Sequence, residues 1–196
     1  MAAVGNQRDA AGMGNVEEPC GSGQVGMSDQ EMLEPLGDDP VDADGPDAVR
    51  RETREIIRAG ADVIKVCASG GIMSSRDHPE HPQFRPDELE TIVAEASAVG
   101  LRVMAHAHSG EGIKMALRAG VRSIEHGTFL DDEAIRMLVE HGVYLVPTIY
   151  IGDYYIEHGS PTGYQDKMVE LSKKYKDLQY EWVGKAIRAG VRIAAG

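Results

Sequence analysis

Cysteine is scarce in this 196-residue chain: Cys20 and Cys67 stand far apart and form no CxxC pair. That usage argues against a disulfide framework and a cysteine-built zinc site, and it suits a reducing cytoplasm. No apolar run approaches the roughly 18 residues of a membrane span. The N-terminal region lacks the basic and apolar segments of a secretory signal. A basic excess is also missing; the formal net charge is −12, so nothing invites nucleic acid or an anionic membrane. Residues 1–64 contain no histidine. A glycine-rich phosphate loop is absent too, because Ser69-Gly70-Gly71 lacks the third glycine and a following helix.

The charge is unevenly placed. Residues 1–48 hold eleven acids and one base (Arg8), a net −10, which leaves −2 of the total −12 for residues 49–196. Residues 1–43 carry few large apolar side chains and no helical or strand period. They read as a flexible acidic segment, with the remnant of a larger domain as the alternative. The remainder, 44–196, reads as one folded unit.

Order begins at Asp44-Gly45-Pro46, a helix start. Val49, Thr53, Ile56 and Ile57 then form an apolar stripe that ends at Gly60. A strand over 62–67 follows. A second helix runs from Pro86 to Gly100 before a strand over 102–108. Ser109 caps a third helix that ends at Gly120, before a strand over 121–126. Asp131 caps a fourth that ends at Gly142, before a strand over 143–147. A long last helix carries Met168, Leu171, Tyr175, Leu178 and Trp182 and ends at Gly190, before a strand over 191–195. The join helix–Gly–strand therefore recurs five times. Residues 68–85 and 148–162 read as long loops after strands. Alternating apolar strands and helices imply a parallel sheet covered by helices. Short joins on one edge and long loops on the other place function at the strand C-termini. Half of a barrel fits this pattern better than a doubly wound sheet.

Three of these strands carry one polar group near the C-terminal end: Lys65, His106 and His126. An unpaired ammonium in an apolar strand costs several kcal/mol. Lys65 therefore needs an ion pair, a Schiff-base role, or conversion to a metal-ligating carbamate. His106 and His126 are imidazoles of the type that binds zinc and related metals. His108 shares the face of His106 and is assigned to substrate contact or support of the ligands, with a plain surface role as the alternative. Tyr150, with Tyr154, Tyr155 and Tyr164, can line a pocket or simply pack. His78 and His81 lie in a Pro-rich loop and read as solvated, His141 as helix-terminal, and His158 as a loop residue.

The segments Ala59-Gly60-Ala61-Asp62-Val63-Ile64-Lys65, Ser69-Gly70-Gly71, His106-Ala107-His108, Ile124-Glu125-His126-Gly127-Thr128 and Leu145-Val146-Pro147-Thr148 together resemble the amidohydrolase superfamily, in its imidazolonepropionase-like and Xaa-Pro dipeptidase (prolidase) branch. The resemblance implies a distorted (β/α)8 barrel of which this chain carries strands four to eight. It implies one or two divalent metals, with zinc expected. Lys65 would be carboxylated and, with His106 and His126, ligate metal. His108 and Tyr150 would contact substrate. The implied chemistry is hydrolysis of an amide, Xaa-Pro dipeptide or cyclic amide by metal-activated hydroxide.

Two features of that family have no counterpart here: an H-x-H pair on strand one and an aspartate on strand eight, expected beyond Gly196. The expectation is thus a chain that alone hydrolyses little and, with two open sheet edges, pairs with a second copy or aggregates. A non-catalytic half-barrel module and a lactonase or phosphotriesterase-like hydrolase stand as the competing readings.

Overall fold

The computed structural model describes residues 43–72, 77–159 and 166–196, the side chain of Lys167 aside. Five strands, β1 (Ile64–Cys67), β2 (Val103–Ala107), β3 (Ser123–His126), β4 (Tyr144–Val146) and β5 (Arg192–Ile193), form one sheet in that spatial order. All four pairings are parallel. A doubly wound sheet reverses its strand order at a switch point, whereas a barrel wall does not. The uninterrupted order is therefore that of a barrel wall.

Helices α1 (Pro46–Arg58), α2 (Pro86–Ala98), α3 (Gly110–Ala119) and α4 (Asp132–His141) cover one face of this sheet, each touching the next. Strand side chains alternate. Ile64, Val66, Val103, Ala105, Ala107, Ile124 and Leu145 point into the helical layer, where they meet Val49, Leu89, Ile92, Ile113, Leu117 and Leu138. Full burial of one such aliphatic side chain stabilises by about 1.5–3 kcal/mol. The opposite face carries Lys65 and Cys67, Met104 and His106, Ser123 and Glu125, and Tyr144 and Val146, aligned by the register.

The helix starts follow local chemistry. The Ser109 hydroxyl accepts from the Gly112 amide at the head of α3, and the Asp131 carboxylate from the Ala134 amide at the head of α4. The Glu88 carboxylate takes the backbone N–H of Arg85 and of Gly45, which binds the entry of α1 to the first turn of α2. All five join glycines have positive φ, between 62° and 95°, the conformation a helix needs to turn back into the sheet without a Cβ clash.

Several expectations need correction. Within the segment 148–162, expected as a long loop, Ile149–His158 is helix α5, which packs on the long helix α6 (Asp166–Arg188); residues 160–162 lie outside the described residues. His158 is accordingly the last residue of α5, stacked on Tyr154 one turn earlier. On α6 the buried positions are Met168, Ser172, Tyr175, Val183 and Ala186, while Leu171, Leu178 and Trp182 are half-buried. The strands are shorter than expected, so His108 lies just beyond β2. Cys67 ends β1 as a buried side chain, and Cys20 lies outside the described residues. The proposed flexible tract also lies outside them, except for Ala43, which is buried in the core. Among the described residues no helix is long and apolar enough to cross a membrane.

Candidate metal centre

His106 leaves β2 on the face opposite the helical layer, and alternation places His108 on the same side two residues later. His126 ends β3, where register pairs it with Ala107, a residue of the helix-facing series. Strict alternation would therefore send its ring away from His106. It does not go there: His126 has φ 71, and this left-handed turn brings the imidazole to the other side. A non-glycine residue in that region costs on the order of 1–3 kcal/mol. The ring centroids of His106 and His126 are 4.6 Å apart, and those of His108 and His126 4.7 Å.

Each ring has one nitrogen occupied by an oxygen. His106 Nε2 donates to the Gly70 carbonyl at 3.3 Å. A carbonyl can only accept, so the proton is on Nε2 and Nδ1 keeps its lone pair. His108 Nδ1 shares a hydrogen bond with Thr128 Oγ1 at 2.7 Å, and His126 Nδ1 one with Thr148 Oγ1 at 2.6 Å. One candidate ligand nitrogen from each ring lies within 4.8 Å of the other two.

Burial holds the imidazoles neutral. It pushes His106 down from 6.5 to about 4, with the Lys65 charge adding to the effect and the Gly70 carbonyl opposing it. His108 and His126 are also held well below the usual range, first by burial and then by their imidazole neighbours, with Lys65 acting on His126. Three neutral rings with converging nitrogens suit a borderline-soft divalent ion such as zinc. Fixing the second nitrogen of a histidine is what such a site requires. The donor set fits the metal.

Lys65 is half-buried on the same face, one pairing step below Cys67 and His106. Its charge is close enough to act on both His106 and His126, yet among the described residues it forms no ion pair. The structural ion-pair reading of Lys65 thus finds no carboxylate within salt-bridge distance among the described residues. Tyr150 is 70 % exposed on α5, with Tyr154 as its ring neighbour. His78 and His81 face one another at 5.0 Å outside the cluster. Their segment folds back on the site: Ser69 bridges Pro82, and the Gly70 amide donates to the His81 carbonyl.

The supporting residues carry no role in the sequence reading. The Ser69 hydroxyl accepts from the amides of His108 and Ser109, and Gly70 supplies the carbonyl for His106. A Cβ at Gly70 would meet Asp77 at 2.8 Å, so the close approach requires glycine. Thr128 and Thr148, each two residues beyond a histidine or strand end, are the remaining supports. Their only sequence signal was membership in the His-Gly-Thr and Val-Pro-Thr segments.

The sequence profile of the amidohydrolase family matches residues 10–196, a span that includes most of the acidic tract. Ochratoxinase of Aspergillus niger is 39% identical over 154 residues, 79% of this chain and 32% of that protein. Its crystal structure superposes with a TM-score of 0.71. A Xaa-Pro dipeptidase crystallised with methionine in its active site is 33% identical, with a TM-score of 0.73, over 86% of this chain and 43% of that one. A prolidase complexed with N-methylphosphonate-L-proline is 36% identical, with a TM-score of 0.75, over 83% of this chain and 43% of that one. The chain therefore spans about a third to under half of the relatives it matches.

Proposed function

The chain belongs to the amidohydrolase family, and on that premise we propose that it forms part of the metal-binding wall of a hydrolase that cleaves amide C–N bonds. The observation that supports this most is the set of three neutral imidazoles, each with one nitrogen tied and one candidate ligand nitrogen within 4.8 Å of the others. His106 through Nδ1 and His126 through Nε2 are the proposed protein ligands. Lys65 is the proposed third. Its amine adds to carbon dioxide, an N–C bond forms, one proton leaves, and the resulting carbamate supplies the negative charge that two imidazoles lack. A divalent metal held there, with zinc as the proposed ion, contributes Lewis-acid activation of water and of a carbonyl.

The remaining steps belong to the chain's own side chains. Neutral His108, with Nδ1 held by Thr128, presents Nε2 beside the metal position. With the Thr128 hydroxyl donating, Nε2–H is a donor for a substrate carbonyl or carboxylate oxygen. Tyr150, exposed at the start of α5 just past β4, is the proposed contact for the distal end of a substrate. Xaa-Pro dipeptides and related amides are the proposed substrate class, because the relatives include a prolidase, a Xaa-Pro dipeptidase and ochratoxinase. Among the described residues β1 and β5 each have one strand neighbour. Completion of the wall, by further strands or by a second copy, is therefore part of the proposal.

The test is hydrolysis of a panel of Xaa-Pro dipeptides by the protein loaded with zinc or manganese. Turnover that disappears in Lys65→Ala and His126→Ala, while both variants stay folded, is the expected result. Unchanged turnover in either variant would refute the assignment of ligands.

A further inference from the structure

The turn that delivers His126 to the site is held from outside it. Only two non-glycine residues have positive φ among the described residues, His126 at 71° and Thr148 at 40°. They are hydrogen-bonded to one another at 2.6 Å across the ends of β3 and β4. We propose that Thr148, backed by Gln179, is the positioning residue that keeps the His126 ring in the cluster with Nδ1 protonated and Nε2 free.

The geometry carries this in three steps. Register with Ala107 assigns position 126 to the helix-facing series, so an extended backbone there would turn the ring toward the helical layer. The left-handed backbone is continued by Gly127 at φ 62, where a Cβ would lie 2.7 Å from Leu145 Cδ1. A side chain at 127 would have to displace the buried Leu145 side chain as well as adopt the left-handed backbone. Gln179 of α6 then donates its amide to two carbonyls, that of His126 at 3.3 Å and that of Pro147 at 2.7 Å. One side chain so ties the backbone of the turning histidine to the residue before Thr148.

A ring held only by van der Waals contact could rotate about its side-chain torsions or exchange tautomers. A hydroxyl at 2.6 Å that accepts from Nδ1–H fixes both. The hydrogen bond belongs to the protein by itself; the assignment of the proton to Nδ1 rests on the proposed reading of Nε2 as the nitrogen that faces the metal.

The experiment uses zinc as the probe and two isosteric or conservative variants. Thr148→Val keeps the shape and removes the hydroxyl, and Thr148→Ser keeps the hydroxyl. Zinc affinity is measured by competition with a chromophoric chelator. The His126 tautomer is read in zinc-free protein by long-range 15N–1H NMR. The expected result is Nδ1–H at His126 in wild type and in Thr148→Ser, a mixed or Nε2–H tautomer in Thr148→Val, and zinc affinity in the valine variant weaker by roughly 10- to 100-fold. An Nε2–H tautomer in the wild type overturns the proposal whether or not a variant folds. So does zinc affinity in Thr148→Val equal to wild type. Wild-type protein with the expected tautomer, lost in Thr148→Val, but with no zinc bound, upholds the positioning role and removes the metal reading alone.

Discussion

Acidification between pH 7.5 and 5 should destabilise the metal-free protein, and His106 alone should account for about 2 kcal/mol of that loss. Its pKa is near 6.5 in the unfolded chain and about 4 in the fold, because burial outweighs the Gly70 carbonyl. Above 6.5 neither state holds the proton, and the full stability is present. As pH falls through 6.5 the unfolded chain takes up a proton that the fold refuses, and stability declines until the folded group also titrates near 4. The full shift of about 2.5 pH units corresponds to roughly 3.4 kcal/mol. At pH 5 about 2 kcal/mol of this is already lost relative to pH 7.5. His108 and His126, also depressed, add losses of the same sign. The lower limit of pH 5 stays above the ordinary range of carboxylates. The assay is urea unfolding of chelator-treated protein at intervals across this window, beside His106→Gln. The pH-dependent loss should be smaller in the variant by about 2 kcal/mol. Parallel curves for the two proteins would show that His106 is not held neutral by the fold.

Gly127→Ala should destabilise by at least about 1 kcal/mol, because it places a Cβ 2.7 Å from Leu145 Cδ1 at a positive φ; thermal unfolding measures it. Leu138→Ala, at a fully buried position between α4 and the sheet, should cost about 2–5 kcal/mol in chemical denaturation. Zinc at a free concentration of 100 times its dissociation constant should raise stability by about 2.7 kcal/mol, and differential scanning calorimetry with and without Lys65→Ala separates the contribution of the lysine. Bicarbonate labelled with 13C should give a carbamate resonance in metal-loaded protein that is absent from Lys65→Ala.

Much of the fold is readable from local pattern. The recurring helix–Gly–strand joins mark every strand, since each demands the positive φ that glycine accepts. Ser109 and Asp131 mark helix starts because their side chains cap the neighbouring amides. Helix α5 is not readable in the same way. It begins at Thr148 with no side-chain cap and carries Gly152 in its middle, and it is stabilised by packing on α6 that local sequence does not display. At the site, alternation along β2 is enough to place His106 and His108 on one face. The same rule misplaces His126, whose orientation depends on a left-handed backbone and on Thr148 and Gln179, 22 and 53 residues away. Long-range support of that kind leaves no period in the sequence.

The claim on which the rest depends is that one metal sits between His106 and His126. A crystal of the zinc-loaded protein, with diffraction collected on both sides of the zinc absorption edge, measures this directly. The account predicts an anomalous peak within about 2.0–2.1 Å of His106 Nδ1 and His126 Nε2, with density extending from Lys65 Nζ toward it. A peak on His78 and His81, or none between His106 and His126, would contradict it.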